Sequence, residues 1–203
     1  MEAASTSERQ LAGDKAARIV DAMRASVAER GTAGSTFDQV AKAAGVSRGL
    51  LHYYFGTKER LLVEVVRRDC DVRMAVLDAG LAQAQTADDF IAVLVANLED
   101  VVRNDPGFVT LMFELFVLSR RHEDVAAEFS ELLSRLRDQV AALLRAKEAE
   151  GVLHLGADPA AVVDVLLSLA DGIWLRMLAE KRDFAPTIDA AVKCVRALLD
   201  DAA

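Results

Sequence analysis

The sequence predicts an all-α protein of about nine helices, and three observations support this fold class. Hydrophobic residues make up 53% of the chain but aromatic residues only 5%. Ala and Leu are abundant and favour helices, whereas a β-rich chain needs more β-branched and aromatic residues at alternate positions. All three prolines stand where a helix can begin, and no internal repeat is present.

Capping residues and glycines predict the first helices in chain order. Residues 1–13 have no apolar periodicity and are predicted to form a mobile arm. Asp14 can cap a first helix, which Gly31 ends. Thr36, with Gln39 three positions later, matches the capping box of a second helix.

The same signals predict the helices that follow. Ser47 can cap the third helix, and Thr57 opens a fourth that runs to about Gly80. Thr86 opens a fifth helix, and two acidic residues in its first turn suit the helix dipole.

Proline and glycine mark the remaining helices. Asp105-Pro106 and Asp158-Pro159 each place an N-cap side chain before a proline in the first helical position. Gly151 ends a long helix with one apolar stripe, and Pro186 starts the last helix.

The twenty residues from Phe37 to Gly56 match the spacing of a helix-turn-helix. The motif needs a small residue where its helices cross and a residue tolerant of left-handed backbone at the turn. Ala41 and Gly45 meet these two requirements. Apolar residues fill the five positions that lock the helices together: Val40, Ala44, Val46, Leu51 and Tyr54. A plain helical corner with the same packing is the alternative.

Surface chemistry favours the DNA-binding interpretation. No acidic residue lies between Ser47 and Gly56, whereas Arg48, His52 and Tyr53 are groups that reach bases and phosphates. Lys58 falls in the first turn of the next helix, where the dipole disfavours a cation unless an anion docks there. A solvated lysine beside a neighbouring glutamate is the alternative at this position.

Residues 36–62 (TFDQVAKAAGVSRGLLHYYFGTKERLL) resemble the TetR family of bacterial one-component repressors. The resemblance implies a homodimer with a helix-turn-helix domain over residues 14–57. It implies that residues 58–203 form a helical domain for effector binding and dimerisation. Many members have Tyr where this chain has His52, so the resemblance does not give the base preference.

The resemblance also implies roles for individual residues. Arg48 would read guanine, and Gly49 would allow close approach of the backbone. His52 would reach a base or a phosphate, or would only space the helix. Helix N-termini at Thr36 and Ser47, and the side chains of two further residues, would contact phosphates. The two further residues are Tyr53 and Lys58.

Residues 159–178 are apolar almost all the way round, so we expect both sides of this helix to be covered. One side can face a second copy, with the last helix completing a four-helix bundle across a two-fold axis. Burial within a monomeric core is the alternative. The predicted interface residues are Val163, Leu166, Leu167, Val192, Val195 and Leu199.

The run Val109–Leu118 contains a single charge, Glu114, and can wall an apolar effector pocket together with the later helix. Ordinary core is the alternative for each residue. Glu114 or Asp171 can contact the effector or pair with Arg121 or Arg176. The predicted pocket residues are Met112, Phe113, Phe116, Asp171, Trp174, Met177 and Leu178.

Charge is distributed unevenly along the chain. Residues 1–68 contain 11 Lys and Arg against 8 Asp and Glu, although the whole chain has a net charge of −8. This basic end can attract phosphate, while the acidic remainder repels DNA and orients the approach. The expected partners are therefore a palindromic double-stranded operator, a second copy of the chain and a small effector.

Several other function classes lack their signatures. The sequence contains no phosphate-binding glycine loop and no CxxC, and its three histidines are scattered. We therefore expect neither an enzyme, nor a metal, nor a cofactor. The absence of a long apolar run and of a signal sequence predicts a soluble, cytoplasmic protein. A helical protein-interaction module, or a family member without DNA binding, is the remaining alternative.

Overall fold

The computed structural model describes residues 2–199, with side chains described from residue 13 onwards. This range contains nine helices and no strand, which confirms the predicted all-α fold. None of these helices is both long and apolar enough to cross a membrane. The helices are α1 (Glu2–Gly34), α2 (Phe37–Ala44), α3 (Arg48–Phe55), α4 (Lys58–Ala82), α5 (Ala87–Asn104), α6 (Pro106–Ser119), α7 (Glu123–Ala149), α8 (Pro159–Ala179) and α9 (Ala185–Leu199).

Helix α1 differs from its predicted start but not from its predicted break. It begins at Glu2, so Asp14 lies inside the helix and does not cap it. Gly31 has φ 71° and ψ 172°, which interrupts the helical backbone where the sequence predicts an end. A mobile arm is predicted over residues 1–13, and the structure describes side chains only from residue 13 onwards. The mobility of this arm therefore stays a prediction.

Side chains cap the later helices as the sequence predicts. The Thr86 hydroxyl accepts from the backbone N–H of Asp89 at 3.1 Å, and the Asp89 carboxylate accepts from the N–H of Thr86 at 3.0 Å. The Asp158 carboxylate accepts from two backbone N–H groups in the first turn of α8. Helix α9 begins at Ala185, one residue before the predicted start at Pro186.

The chain divides into two compact units, and the dividing points lie inside helices. The first unit contains Met1–Asp69 and Thr110–Phe129, and the second contains Cys70–Val109 and Ser130–Ala203. The first twelve residues of α4 thus belong to the same unit as α1–α3. The functional division predicted at residue 57 stays a prediction.

Each unit has its own apolar core. In the first unit, α1, α2, α3 and α4 contribute the fully buried residues Ile19, Met23, Val40, Leu51, Leu61 and Leu62. In the second unit, five helices contribute the fully buried residues Leu81, Phe90, Leu144, Val163 and Leu199. Burial of these side chains is the main driving force for the packing of each unit.

A buried lysine links two helices of the second unit. Lys147 on α7 is 5% exposed, and its ammonium donates to the carbonyls of Ala82 at 3.0 Å and Ala84 at 3.1 Å. The ammonium also pairs with Glu150 at 2.8 Å. These bonds satisfy carbonyl groups at and beyond the C-terminus of α4, which have no partner within that helix.

Candidate nucleic-acid interface

Helix α2 begins and ends at residues that fix the turn of the motif. The Thr36 hydroxyl accepts from the N–H of Gln39 at 3.4 Å, and the Gln39 side chain accepts from the N–H of Thr36 at 3.0 Å. Gly45 adopts the left-handed conformation at φ 65° and ψ 39°, and the N–H of Val46 donates to the Ala41 carbonyl. The chain therefore reverses where the sequence predicts the helix-turn-helix to turn.

Helix α3 presents one buried and one exposed side. Ser47 caps it by accepting from the N–H of Leu50 at 3.3 Å, and Leu51 is fully buried against the first unit. The opposite side is open, and Tyr53 is 81% exposed. This exposed side contains five of the predicted DNA-binding residues: Ser47, Arg48, Gly49, His52 and Tyr53.

The predicted base reader Arg48 is paired with an acidic residue of α2. Its guanidinium lies 3.2 Å and 3.3 Å from the two carboxylate oxygens of Asp38, and both side chains are exposed. Asp38 was not among the residues predicted from the sequence, although it lies in the first turn of α2. The pair holds Arg48 at the surface, while the carboxylate opposes the approach of a phosphate.

His52 has one ring nitrogen engaged and the other available. Its Nδ1 lies 3.0 Å from the Gly56 carbonyl oxygen, and its ring meets the edge of Phe37 at a centroid distance of 4.9 Å. A carbonyl oxygen only accepts, so Nδ1 carries the proton in this bond. In the neutral ring Nε2 is then an acceptor, which suits the amino group of adenine or cytosine better than a phosphate.

Lys58 is partly engaged by the backbone. Its ammonium donates to the carbonyl of Thr32 at 2.7 Å, and the residue is half-buried. This partner could not be predicted from the sequence because Thr32 lies 26 positions away from Lys58. Nearby, Ser26 donates to Ser35 at 2.9 Å and Ser35 donates to the Gly31 carbonyl at 2.9 Å. An ammonium has three N–H groups, so Lys58 retains donors for an anion.

The segment from Thr36 to Lys58 is therefore rich in cations and hydrogen-bond donors. Between Thr36 and Lys58 three cationic side chains stand against one carboxylate. A duplex presents regularly spaced phosphates that such a surface attracts. Side chains on a capped helix above a buried core keep fixed positions, as reading of base edges requires.

The second unit contains an apolar cavity of about 140 Å³. Helices α5, α8 and α9 contribute most of its walls, and α4 contributes Leu77. Its lining residues are Leu77, Ile91, Leu94, Val95, Asn97, Leu98, Val140, Val163, Leu166, Leu167, Leu169, Ala170, Ile173, Trp174, Ile188, Ala191, Val192 and Val195. A cavity with these walls suits an apolar small molecule.

Comparisons with protein families agree with both the helix-turn-helix and the helical part that contains the cavity. A family model described as bacterial regulatory proteins of the tetR family matches residues 19–65. A second model, described as the C-terminal part of BetI-type transcriptional repressors, matches residues 86–203, which is more than half of the chain. This chain belongs to the TetR family. Because the family and its relatives are transcriptional regulators, the prediction of a regulator and not an enzyme is confirmed.

Individual relatives of this TetR-family protein cover most of its length. The HTH-type transcriptional regulator BetI of Burkholderia thailandensis is 31% identical over 163 residues, which cover 79% of this chain and 80% of that protein. A TetR-family regulator from Mesorhizobium loti has a TM-score of 0.75 at 18% identity, covering 93% and 98%. A transcriptional regulator from Saccharomonospora viridis, solved in complex with choline, has a TM-score of 0.70 at 19% identity, covering 91% and 97%.

The residues predicted for the effector pocket are divided between the two units of this TetR-family protein. Trp174 is the only one of the seven that lines the cavity. Three lie on α6 in the first unit, and Phe116 among them is 54% exposed. The three on α6 are Met112, Phe113 and Phe116, and the three on α8 outside the lining are Asp171, Met177 and Leu178.

The acidic residues considered for the effector lie outside the cavity lining. Neither Glu114 nor Asp171 lines the cavity, and Arg176 pairs with Glu180 at 2.8 Å instead of with Asp171. Asp171 reaches solvent in part, yet desolvation by its surroundings raises the pKa of its carboxyl above the ordinary value. This carboxyl lies on an apolar helix without a cationic partner among the described residues.

The residues predicted for the dimer interface lie inside the second unit. Five of the six line the cavity, and Leu199 is fully buried. Val163 and Leu199 have no exposed surface. In this packing they can only lie beneath the residues that would contact a second copy. The residues that line the cavity are Val163, Leu166, Leu167, Val192 and Val195.

Proposed function

We propose that this TetR-family protein binds a palindromic operator as a homodimer, represses transcription, and is released by a small, largely apolar effector. A cytoplasmic location is part of the same proposal. The observation that supports it best is the exposed side of α3, where donors stand on a capped helix above the buried Leu51. The matches to two family models and the apolar cavity support the proposal that an effector controls DNA binding.

Contacts with DNA are proposed as two kinds. Arg48 would read guanine through two hydrogen bonds, and His52 would accept from a base amino group through Nε2. Gly49, where an added Cβ would meet only the Ser47 hydroxyl oxygen at 3.9 Å, would lie against the duplex. Phosphates would be held by Thr36, Ser47, Tyr53 and Lys58. In a symmetric dimer the two recognition helices would enter major grooves ~34 Å apart.

The homodimer is proposed to form through the outer faces of α8 and α9. Val165 and Leu175 on α8 are 44% and 50% exposed, which leaves large apolar surface for a partner. Between them α8 exposes Ser168, which has a small side chain, and Gly172, which has none, so a second helix can approach closely. Two copies would then form a four-helix bundle across a two-fold axis.

Release by an effector is proposed to act through α4. This helix begins directly after the recognition helix and contributes Leu77 to the cavity. A ligand would weaken DNA binding if it binds more tightly to a position of α4 in which the recognition helices do not fit the operator. Couplings of this kind are typically about 1–3 kcal/mol, or about 5- to 150-fold in affinity.

Selection of bound duplexes from a random pool, followed by binding assays with variants, tests the proposal. Wild type should select a palindrome, and its affinity should fall with salt at a log–log slope of about −0.9 per neutralised phosphate. Arg48→Ala should lose about 5- to 150-fold in discrimination at one base pair while keeping the dimer mass. Arg137→Ala, which removes an exposed arginine of α7, is the matched control. Failure to select any sequence, or unchanged selectivity of the Arg48 variant, would contradict the assignment.

A further inference from the structure

We propose that the cavity selects an uncharged ligand with one hydrogen-bonding group, and that Asn97 recognises this group. The inference rests on the proposed effector site and adds the chemical class of the ligand. Asn97 lies on α5 and lines the cavity together with Leu94 and Leu98 of the same helix. It is thereby identified as a specificity-determining residue of the site.

The cavity lining offers little polarity apart from Asn97. Among its described lining residues none is charged, and only Asn97 and Trp174 have polar atoms in their side chains. The indole N–H of Trp174 already donates to the Leu98 carbonyl at 3.0 Å. The indole is therefore occupied as a donor, and its remaining contribution to a ligand is its aromatic surface.

Asn97 has unused hydrogen-bonding capacity. It is half-buried, and its side chain forms no hydrogen bond with another residue of the described range. An amide beside apolar walls destabilises the protein when its donors and its acceptor have no hydrogen-bond partner. Since the amide both donates and accepts, a hydroxyl, carbonyl or amide group of a ligand would satisfy it.

The same lining disfavours charged ligands. A quaternary ammonium group is usually held by several aromatic rings or by a carboxylate, and Trp174 is the single ring in the described lining. The carboxyl of Asp171 does not line the cavity. Transfer of an unpaired charge into apolar surroundings is strongly unfavourable. The ligand class therefore differs from choline, which the related Saccharomonospora viridis regulator holds.

The size of the cavity narrows the class of ligand further. The cavity has a volume of about 140 Å³. An apolar cavity of about 150 Å³ accommodates benzene. The fitting ligand is therefore about one six-membered ring with a short polar substituent, or an aliphatic molecule of similar volume.

Fluorescence provides a direct test, because Trp174 is the only tryptophan of the chain and lines the cavity. The full-length protein is titrated with benzyl alcohol, toluene and choline while Trp174 emission is recorded. The same titrations are made with Asn97→Leu, which keeps the branched shape of the side chain, adds some bulk and removes the amide. Ala170→Leu, which adds bulk to the lining, is the control that should abolish binding of every probe.

Wild type should bind benzyl alcohol and toluene saturably and should not respond to choline. Asn97→Leu should lower the affinity for benzyl alcohol relative to that for toluene by about two- to tenfold, the effect of one net hydrogen bond, because the added bulk acts on both probes. If Asn97→Leu does not fold, Asn97→Ala should show the same change in the ratio of the two affinities.

Three results would overturn the inference: equal effects of the Asn97 variant on both aromatic probes, saturable choline binding that Ala170→Leu removes, or no binding of either aromatic probe. Operator release is measured separately with the same probes. If the probes bind with the expected preference but do not release DNA, the effector role fails while the ligand class stands. Release by choline alone would leave the effector role intact and refute the ligand class.

Discussion

Replacing Lys147 with methionine tests how its buried ammonium stabilises the second unit. Methionine keeps most of the apolar stem and removes only the charged group. The change therefore deletes the bonds to the carbonyls of Ala82 and Ala84 and the ion pair with Glu150. Packing around the stem stays largely unchanged, so the measured effect reports the polar contacts.

The structure allows an estimate of the effect. The bond to Ala84 is buried and the bond to Ala82 is partly buried, so one carbonyl loses its partner without access to water. An unsatisfied buried acceptor costs about 1–3 kcal/mol, and the partly buried bond adds about 0.5–1.5 kcal/mol. The Glu150 side chain is 55% exposed, so its ion pair adds at most about 1 kcal/mol. These terms together span about 1.5–5.5 kcal/mol, and we expect a total destabilisation in the middle of this range, about 2–4 kcal/mol.

Urea and thermal unfolding of full-length variants measure this loss. Lys147→Met should lower the melting temperature by roughly 4–16 °C, given about 2–4 °C per kcal/mol in proteins of this size. Glu150→Gln should cost at most about 1 kcal/mol. Lys181→Met, at an exposed position, should have almost no effect. Equal losses for the Lys147 and Glu150 variants would show that the ion pair, and not the pairing of the carbonyls, provides the stability.

Three further predictions concern single residues. Asp38→Asn should tighten binding to any duplex by about two- to fivefold in low-salt anisotropy titrations, because it frees Arg48 and removes a repelling charge; an unchanged affinity would contradict this. Gly45→Ala should lower the free energy of unfolding in urea by about 1–2 kcal/mol because φ is 65°, whereas Gly49→Ala in the regular helix α3 should not destabilise. The raised pKa of Asp171 favours the neutral carboxyl in the folded state. Wild type should therefore lose stability relative to Asp171→Asn as the pH rises from about 4 to about 7, measured as urea midpoints; a constant difference would refute the role of desolvation.

Local signals in the sequence were sufficient for the helix-turn-helix. The capping box at Thr36, the left-handed Gly45 and the cap at Ser47 depend on residues within a few positions of one another. Such interactions are formed by almost any backbone that adopts the local conformation. Apolar spacing then identified the buried Leu51, and the same periodicity left Tyr53 on the exposed side.

Contacts between distant parts of the chain could not be predicted in this way. The pairing of Arg48 with Asp38 joins two helices, and the bond from Lys58 to Thr32 spans 26 positions. Periodicity shows that a helix has an apolar side but not which other helix covers it. For this reason the sequence did not show that Leu166 and Val192 line a cavity, and their place in a dimer interface stays a prediction.

The sequence by itself determined the helices, the caps of the helices after α1, the helix-turn-helix and the family, because these depend on short-range backbone chemistry and on a local pattern. Only the tertiary structure decided which apolar side chains line the cavity and that the polar side chain of Asn97 lines it with them. It also decided that Val163 and Leu199 are fully buried in one chain. The physical reason is that the hydrophobic effect drives burial without direction, so the partner of each apolar surface follows from the packing of all helices together.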